Sequence, residues 1–186
     1  VEGPQGLLVA MQSRGDDFSS EVRALGQQWE IVDGGITVKL YPSCAATHPT
    51  IDTLIDLRAE HGFGPEDVEE IEVAVDSVTP TVLIHDRPST GLEGKFSMHF
   101  CAASAVVHGR VGIETFESGV DDSPVRALLP RVVMRADPEV GVDQPTLTEA
   151  VVTVRLKDGR TFERHVRGAR GYPTNPPTRD DLGKKF

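Results

Sequence analysis

Lys39, Ser43, Cys44 and His48 lie close together in Lys39-Leu40-Tyr41-Pro42-Ser43-Cys44-Ala45-Ala46-Thr47-His48-Pro49-Thr50-Ile51-Asp52. The pattern sets a lysine at a strand end, then a polar turn, then a histidine opening a helix. An ammonium group neutralises a carboxylate and the charge that grows beside it on deprotonation. An imidazole moves a proton near neutral pH. The first helical turn adds unpaired N–H groups and partial positive charge. That positive end disfavours an imidazolium, so His48 is expected as a neutral ring. The combination suits a small acidic metabolite, with Lys39 and His48 as catalytic candidates and Ser43 as a further contact. Lys95 ends Thr90-Gly91-Leu92-Glu93-Gly94-Lys95, where glycines let a backbone approach a ligand closely, and it is the fourth candidate contact. Each has an ordinary reading as well: a surface lysine, a solvated first-turn histidine, a turn serine, a loop lysine. Cys44 has the setting of an activated thiol, but no triad-like order accompanies it, and a cysteine hydrolase ranks third among the readings.

The elements that must hold these residues follow from periodicity. Ile51, Leu54, Ile55 and Leu57 make an apolar stripe at helical spacing, closed at His61-Gly62. Val68 to Val75 alternates, with Ile71, Val73 and Val75 on one side and Glu70, Glu72 and Ala74 on the other, which predicts a half-buried strand. Trp29 to Val32 and Ile36 to Leu40 flank Asp33-Gly34-Gly35 and predict a strand–turn–strand. Ser19 or Ser20 caps a short helix through Leu25. An Ala-rich helix from about Phe96 to Val107 stops at Gly109, and Ser123 with Pro124 opens a short helix. Val132 to Arg135 predicts a strand, and Lys157-Asp158-Gly159-Arg160 joins two alternating runs, Ala150 to Leu156 and Thr161 to Val166, as a hairpin. Thr178 caps a last helix. The fold class expected is α+β, a two-layer domain with a mainly antiparallel or mixed sheet and helices packed on one face.

Composition sets outer limits. With 186 residues, 38% hydrophobic and 26% charged, the chain suits one soluble domain with a Val-, Leu-, Ile- and Ala-rich core. A net charge of −10 argues against nucleic acid as a partner. No apolar run reaches membrane-spanning length. Cys44 and Cys101 show neither metal spacing nor a disulfide framework, and the six histidines show no metal pattern. A reduced, cytoplasmic setting is expected, with no metal or other cofactor. The chain opens at Val1 and stops at Phe186 inside a helix-like stretch, so a piece of a longer polypeptide is expected.

Lys39-Leu-Tyr-Pro-Ser-Cys followed by Thr47-His48-Pro-Thr-Ile-Asp52 resembles the signature of the MmgE/PrpD family. Glu93-Gly-Lys-Phe-Ser97 before an Ala-rich helix, Gly171-Tyr-Pro-Thr-Asn-Pro-Pro177, and the opening Glu2-Gly-Pro-Gln-Gly6 resemble further blocks, in order. The resemblance implies the C-terminal small (lid) domain of a metal-independent lyase or isomerase. Such enzymes include 2-methylcitrate dehydratase, cis-aconitate decarboxylase and iminodisuccinate epimerase, and their active site lies between this domain and a large helical one. It implies residues 1–12 as the junction to a missing N-terminal helical domain, 13–178 as the lid, and 179–186 as the start of a truncated C-terminal helix. Lys39 then matches the family's active-site lysine and His48 the histidine of its Thr-His pair. Phe100 stands where the decarboxylase group has an active-site tyrosine, and a phenyl ring has no hydroxyl to donate. The implied reaction is proton abstraction beside a carboxylate of a small di- or tricarboxylate, with dehydration ranked first and epimerisation next. The implied partners are that polycarboxylate and the helical domain. Self-association of the piece through Leu7, Leu8, Val9 and Met11 is also expected. The alternative is a non-catalytic α+β module binding a metabolite or a partner.

Overall fold

The computed structural model describes residues 19–27, 29–142 and 149–185. The apolar Leu7, Leu8, Val9 and Met11, and the junction over 1–12, lie outside the described residues. Two compact units are present, Val1–Ile36 and Thr37–Phe186.

In the first unit, the predicted helix near Ser19 is α1 (Ser19–Ala24). The predicted strand at Trp29 to Val32 is instead a single helical turn, α2 (Glu30–Asp33). The predicted return strand, Ile36 to Leu40, runs across the boundary of the two units and is not among the strands of the sheet. Ile36, Val38 and Leu40 alternate with Thr37 and Lys39, but Ile36 is exposed and Val38 and Leu40 are only half-buried, so no face is covered that would hold the segment to the sheet.

In the second unit, a 3₁₀ turn (Ala45–Thr47) leads into α3 (His48–His61). The helix ends as expected, with Gly62 left-handed and its N–H bonded to the Arg58 carbonyl. β1 (Val68–Val75) follows, then α4 (Thr79–Val82), α5 (Gly91–Lys95), α6 (Met98–His108), α7 (Ile113–Glu117) and α8 (Ser123–Leu128). Asp76 initiates α4 by accepting from the N–H groups of Val78 and Thr79, and Leu83 caps its end. The presumed loop at 90–95 is helical because the Thr90 hydroxyl caps the Glu93 N–H. At α8 the cap position is held by Asp122 rather than Ser123. β2 (Val132–Ala136), β3 (Ala150–Leu156), β4 (Thr161–Val166) and α9 (Arg179–Lys185) complete the order.

The sheet runs β2-β1-β3-β4, with β1–β2 parallel and the other pairs antiparallel, so it is the mixed version of the expected α+β sheet. The long stretch between β1 and β2 supplies the crossover that a parallel pair requires. Register sets Ile71 between Val132 and Val154, and Val73 between Met134 and Val152. Those side chains meet α3 and α6 in the core, where Ile51, Leu54, Phe100, Cys101 and Val106 have no exposed surface. The other sheet face carries ions: Arg135 bonds Glu72, and Arg155 bonds Glu70 and Glu72. Among the described residues no helix is long and apolar enough to cross a membrane.

Candidate functional site

Lys39 starts the loop that returns into α3. Val38 N–H donates to the Gly171 carbonyl (2.8 Å), and Lys185 Nζ donates to the Lys39 carbonyl (2.6 Å). The Lys39 side chain is exposed, and its Nζ donates to the Ser43 carbonyl at 3.3 Å. It lies on the wall of a groove of about 640 Å³, together with Tyr41, Ile55, Arg110, Val111 and Arg170. Glu114 and Asp181 line the groove too, and Arg110 pairs with Glu114 at 2.6 Å, so the groove is of mixed charge with Lys39 among its cations.

His48 reaches the same carbonyl from inside: its Nε2 lies 3.4 Å from Ser43 O. A carbonyl only accepts, so Nε2 is assigned the proton. The ring is 1% exposed and packs edge-on against Tyr41, 5.2 Å between centroids. Burial pushes its pKa down to about 4, the Ser43 carbonyl opposing and the Lys39 charge adding to the fall. The imidazole is therefore neutral at ordinary pH, as its sequence position suggests, but it stands behind the Lys39 loop. It does not line the groove.

The helix N-terminus does not supply the expected anion site. The 3₁₀ turn precedes it, Thr47 N–H already bonds the Cys44 carbonyl, and Thr47, Thr50 and Ile51 are fully buried. The Ser43 hydroxyl is also committed. Thr47 Oγ1 donates to the Cys44 carbonyl (2.8 Å), which leaves Ser43 Oγ to donate to Thr47 Oγ1 (2.8 Å). Lys95 is joined to this loop by its backbone, its carbonyl accepting from Cys44 N–H (2.9 Å). Its ammonium instead lies 6.0 Å from the Phe116 ring centroid, the outer reach of a cation–π contact. Three of the four sequence candidates, Lys39, Ser43 and His48, thus meet at one carbonyl, and the Lys95 side chain goes elsewhere. Phe100 is fully buried, its ring tilted against Phe116 at 5.8 Å. Among the described residues no three His, Cys, Asp or Glu side chains are grouped to hold a metal ion.

Tyr41, Asp52 and Arg170 were not singled out by the sequence reading as a group. Tyr41 Oη donates to Asp52 Oδ1 at 2.5 Å. Arg170 gives Asp52 both its backbone N–H (2.7 Å to Oδ2) and its Nε (2.9 Å to Oδ1), and reaches Asp56 with Nη2 at 3.1 Å. Burial raises the Tyr41 pKa, and Asp52 adds to the rise. Half-burial works against the Arg170 charge, but Asp52, Tyr41 and Asp56 outweigh it and its pKa is raised. The signal was available: Asp52, Asp56 and Glu60 recur every fourth residue on α3, a like-charged stripe that is unfavourable without cationic partners. Arg164 meets Glu60, as Arg170 meets Asp52.

A family model described as the MmgE/PrpD C-terminal domain matches residues 41–186. The chain belongs to the MmgE/PrpD family. It is 28% identical over 168 residues to the cis-aconitate decarboxylase-like protein oryM of Aspergillus oryzae, covering 85% of this chain and 34% of that protein. It is 27% identical over 167 residues to cis-aconitate decarboxylase of Mus musculus, covering 85% and 33%. The MmgE/PrpD chain therefore spans about a third of the length of these relatives. Lys39 lies just ahead of the residues matched by the family model.

Proposed function

We propose that this MmgE/PrpD domain supplies one wall of the active site of a lyase or isomerase that removes a proton beside a carboxylate of a small di- or tricarboxylate. The observation that carries the reading is Lys39: an ammonium on an open groove, its backbone held on both sides by hydrogen bonds. Deprotonation next to a carboxylate spreads charge onto that carboxylate's oxygens. A cation already in place stabilises this charge without reorganising at the moment of reaction. Lys39 is the catalytic and substrate-binding residue in this reading. His48 becomes a positioning residue, because a ring 1% exposed reaches a ligand only through the Ser43 carbonyl it shares with Lys39. Ser43 acts through that carbonyl rather than its hydroxyl. Lys95 serves as a cation at the margin, after release from Phe116. The proton acceptor is assigned to the rest of the polypeptide, whose helical domain would close over this wall and exclude water.

Dehydration ranks first, with epimerisation next. Decarboxylation is the second reading, favoured by the names of the matched relatives and disfavoured by Phe100, which has no hydroxyl. Full-length protein assayed with 2-methylcitrate, citrate and cis-aconitate separates them by product. Lys39→Met should lower kcat/KM for the accepted substrate by roughly 10²–10³, the scale of losing one preorganised charge-stabilising donor. Activity within a few-fold of the parent would overturn the assignment. The 186-residue chain alone is expected to turn over none of the three.

A further inference from the structure

We propose that Arg170, acting through Asp52 and Tyr41, positions Lys39 for its anion. The inference rests on the reading of Lys39 above. The chain on either side of Lys39 is held at three points, all within the second unit. Before it, Val38 N–H is tied to Gly171 O. At it, the carbonyl accepts from Lys185. After it, the Tyr41 hydroxyl is tied to Asp52, which α3 carries one turn in from its start. The first and third points converge on one short segment, because Gly171 and Arg170 are neighbours.

Arg170 joins that segment to Asp52 with two bonds of different origin, one from the backbone and one from the guanidinium. A carboxylate held in this two-point manner has a fixed plane, so the oxygen it offers Tyr41 is fixed as well. The segment is braced against itself: Gly171 N–H donates to Asn175 O, Asn175 N–H to Tyr172 O, and the Asn175 amide to Gly168 O at 3.3 Å. Asp52 is 5% exposed, so its charge is taken from water and depends on this partner. Without Arg170, Asp52 loses two donors, the Tyr41 tether loosens, and the five-residue loop from Lys39 to Ser43, across which the Lys39 ammonium reaches Ser43 O, loses its mid-point anchor.

A salt bridge of purely structural value would change stability and leave the action of Lys39 alone. A double-mutant cycle on the full-length protein separates the two. The readout is the apparent affinity and kcat/KM for the substrate found in the three-compound panel, in parent, Arg170→Met, Lys39→Met and the double variant. Arg170→Met should lower kcat/KM by about tenfold in the parent, within the range of coupling between residues that share a network. In the Lys39→Met background the same change should cost less than about twofold, since nothing remains to be aimed. Equal losses in both backgrounds would overturn the proposal and assign Arg170 to direct contact or to general scaffolding. Should Arg170→Met fail to fold, Tyr41→Phe removes only the hydroxyl and runs the same cycle with the same expected non-additivity. If Lys39→Met itself changes nothing, the reading of Lys39 fails, which is a distinct outcome from additive losses.

Discussion

At the scale of single residues, His48 shows how the environment sets the role of a side chain. Its type and spacing suggest proton transfer, but the fold surrounds it with α3 and the returning loop and lowers its pKa to about 4 from 6.5, first through burial. The ring is then a neutral hydrogen-bond donor that cannot take a proton near neutrality. Linkage gives the consequence. The folded pKa lies below the unfolded one, so between these values the unfolded chain binds the extra proton, and stability falls as pH falls from about 6.5 towards 4. At 1.36 kcal/mol per pKa unit the loss is about 3 kcal/mol by pH 4. His48→Gln keeps a donor that can reach Ser43 O and has no proton to gain. Urea unfolding at pH 7.5 and pH 4 should therefore show the parent losing about 3 kcal/mol more than the variant across that interval. Parallel pH slopes would mean that the imidazole is protonated without penalty in the folded protein.

At the scale of elements, Gly171 decides how closely the C-terminal loop approaches the Lys39 segment. Its φ is +99°, and a Cβ there would stand 2.0 Å from the Val38 carbonyl oxygen. Gly159, in the β3–β4 turn, has φ +89° and nothing within 4 Å of a Cβ. Alanine at either site meets the left-handed backbone cost, of order 1 kcal/mol, but only at Gly171 must two chain segments also separate. Gly171→Ala is expected to destabilise the protein by at least about 1 kcal/mol more than Gly159→Ala in denaturant unfolding, and, on the proposed function, to lower turnover by the full-length protein, which Gly159→Ala should not. Equal effects would show that the 38–171 contact opens freely. Elements with strong local patterns were legible beforehand: the stripe of α3, the alternation of β1, the Asp-Gly turn between β3 and β4. Two of the misread ones lack such patterns. Glu30–Asp33 is rich in β-branched neighbours yet forms a helical turn, and α5 depends on one Thr90 cap beside two glycines. Lys39 drew attention by type and spacing, and its side chain lies on the groove. The need for cations along α3 was visible in Asp52, Asp56 and Glu60, but that Tyr41 and Arg170 meet at Asp52 was not, because only the fold brings them together.

At the scale of the whole second unit, the sheet divides the protein into a covered and an ionic face, and the two should respond differently to mutation. Ile71 and Glu72 are neighbours on β1, paired to adjacent positions of the same two strands, so they differ in face rather than location. Ile71 is fully buried beneath α3 and α6. Glu72 sits between Arg135 and Arg155 on the other face, and its pKa is lowered first by the hydrogen bond from Arg135. Removing the Ile71 side chain to Ala deletes packed methyl and methylene groups and leaves a cavity, with an expected cost of about 2–5 kcal/mol. Glu72→Gln keeps shape and one acceptor while removing charge from a partly solvated pair, and its cost should stay within about 1 kcal/mol. Moderate salt should shrink that second cost further, since screening acts on the ion pairs, and should leave the first nearly unchanged. Paired urea titrations of both variants at low salt and at about 0.5 M NaCl test this, the Debye length falling well below 10 Å at the higher concentration. A Glu72→Gln cost comparable with that of Ile71→Ala, or one insensitive to salt, would mean that the ionic face is itself shielded from water and belongs to an interface of the folded protein rather than to its solvent-facing side.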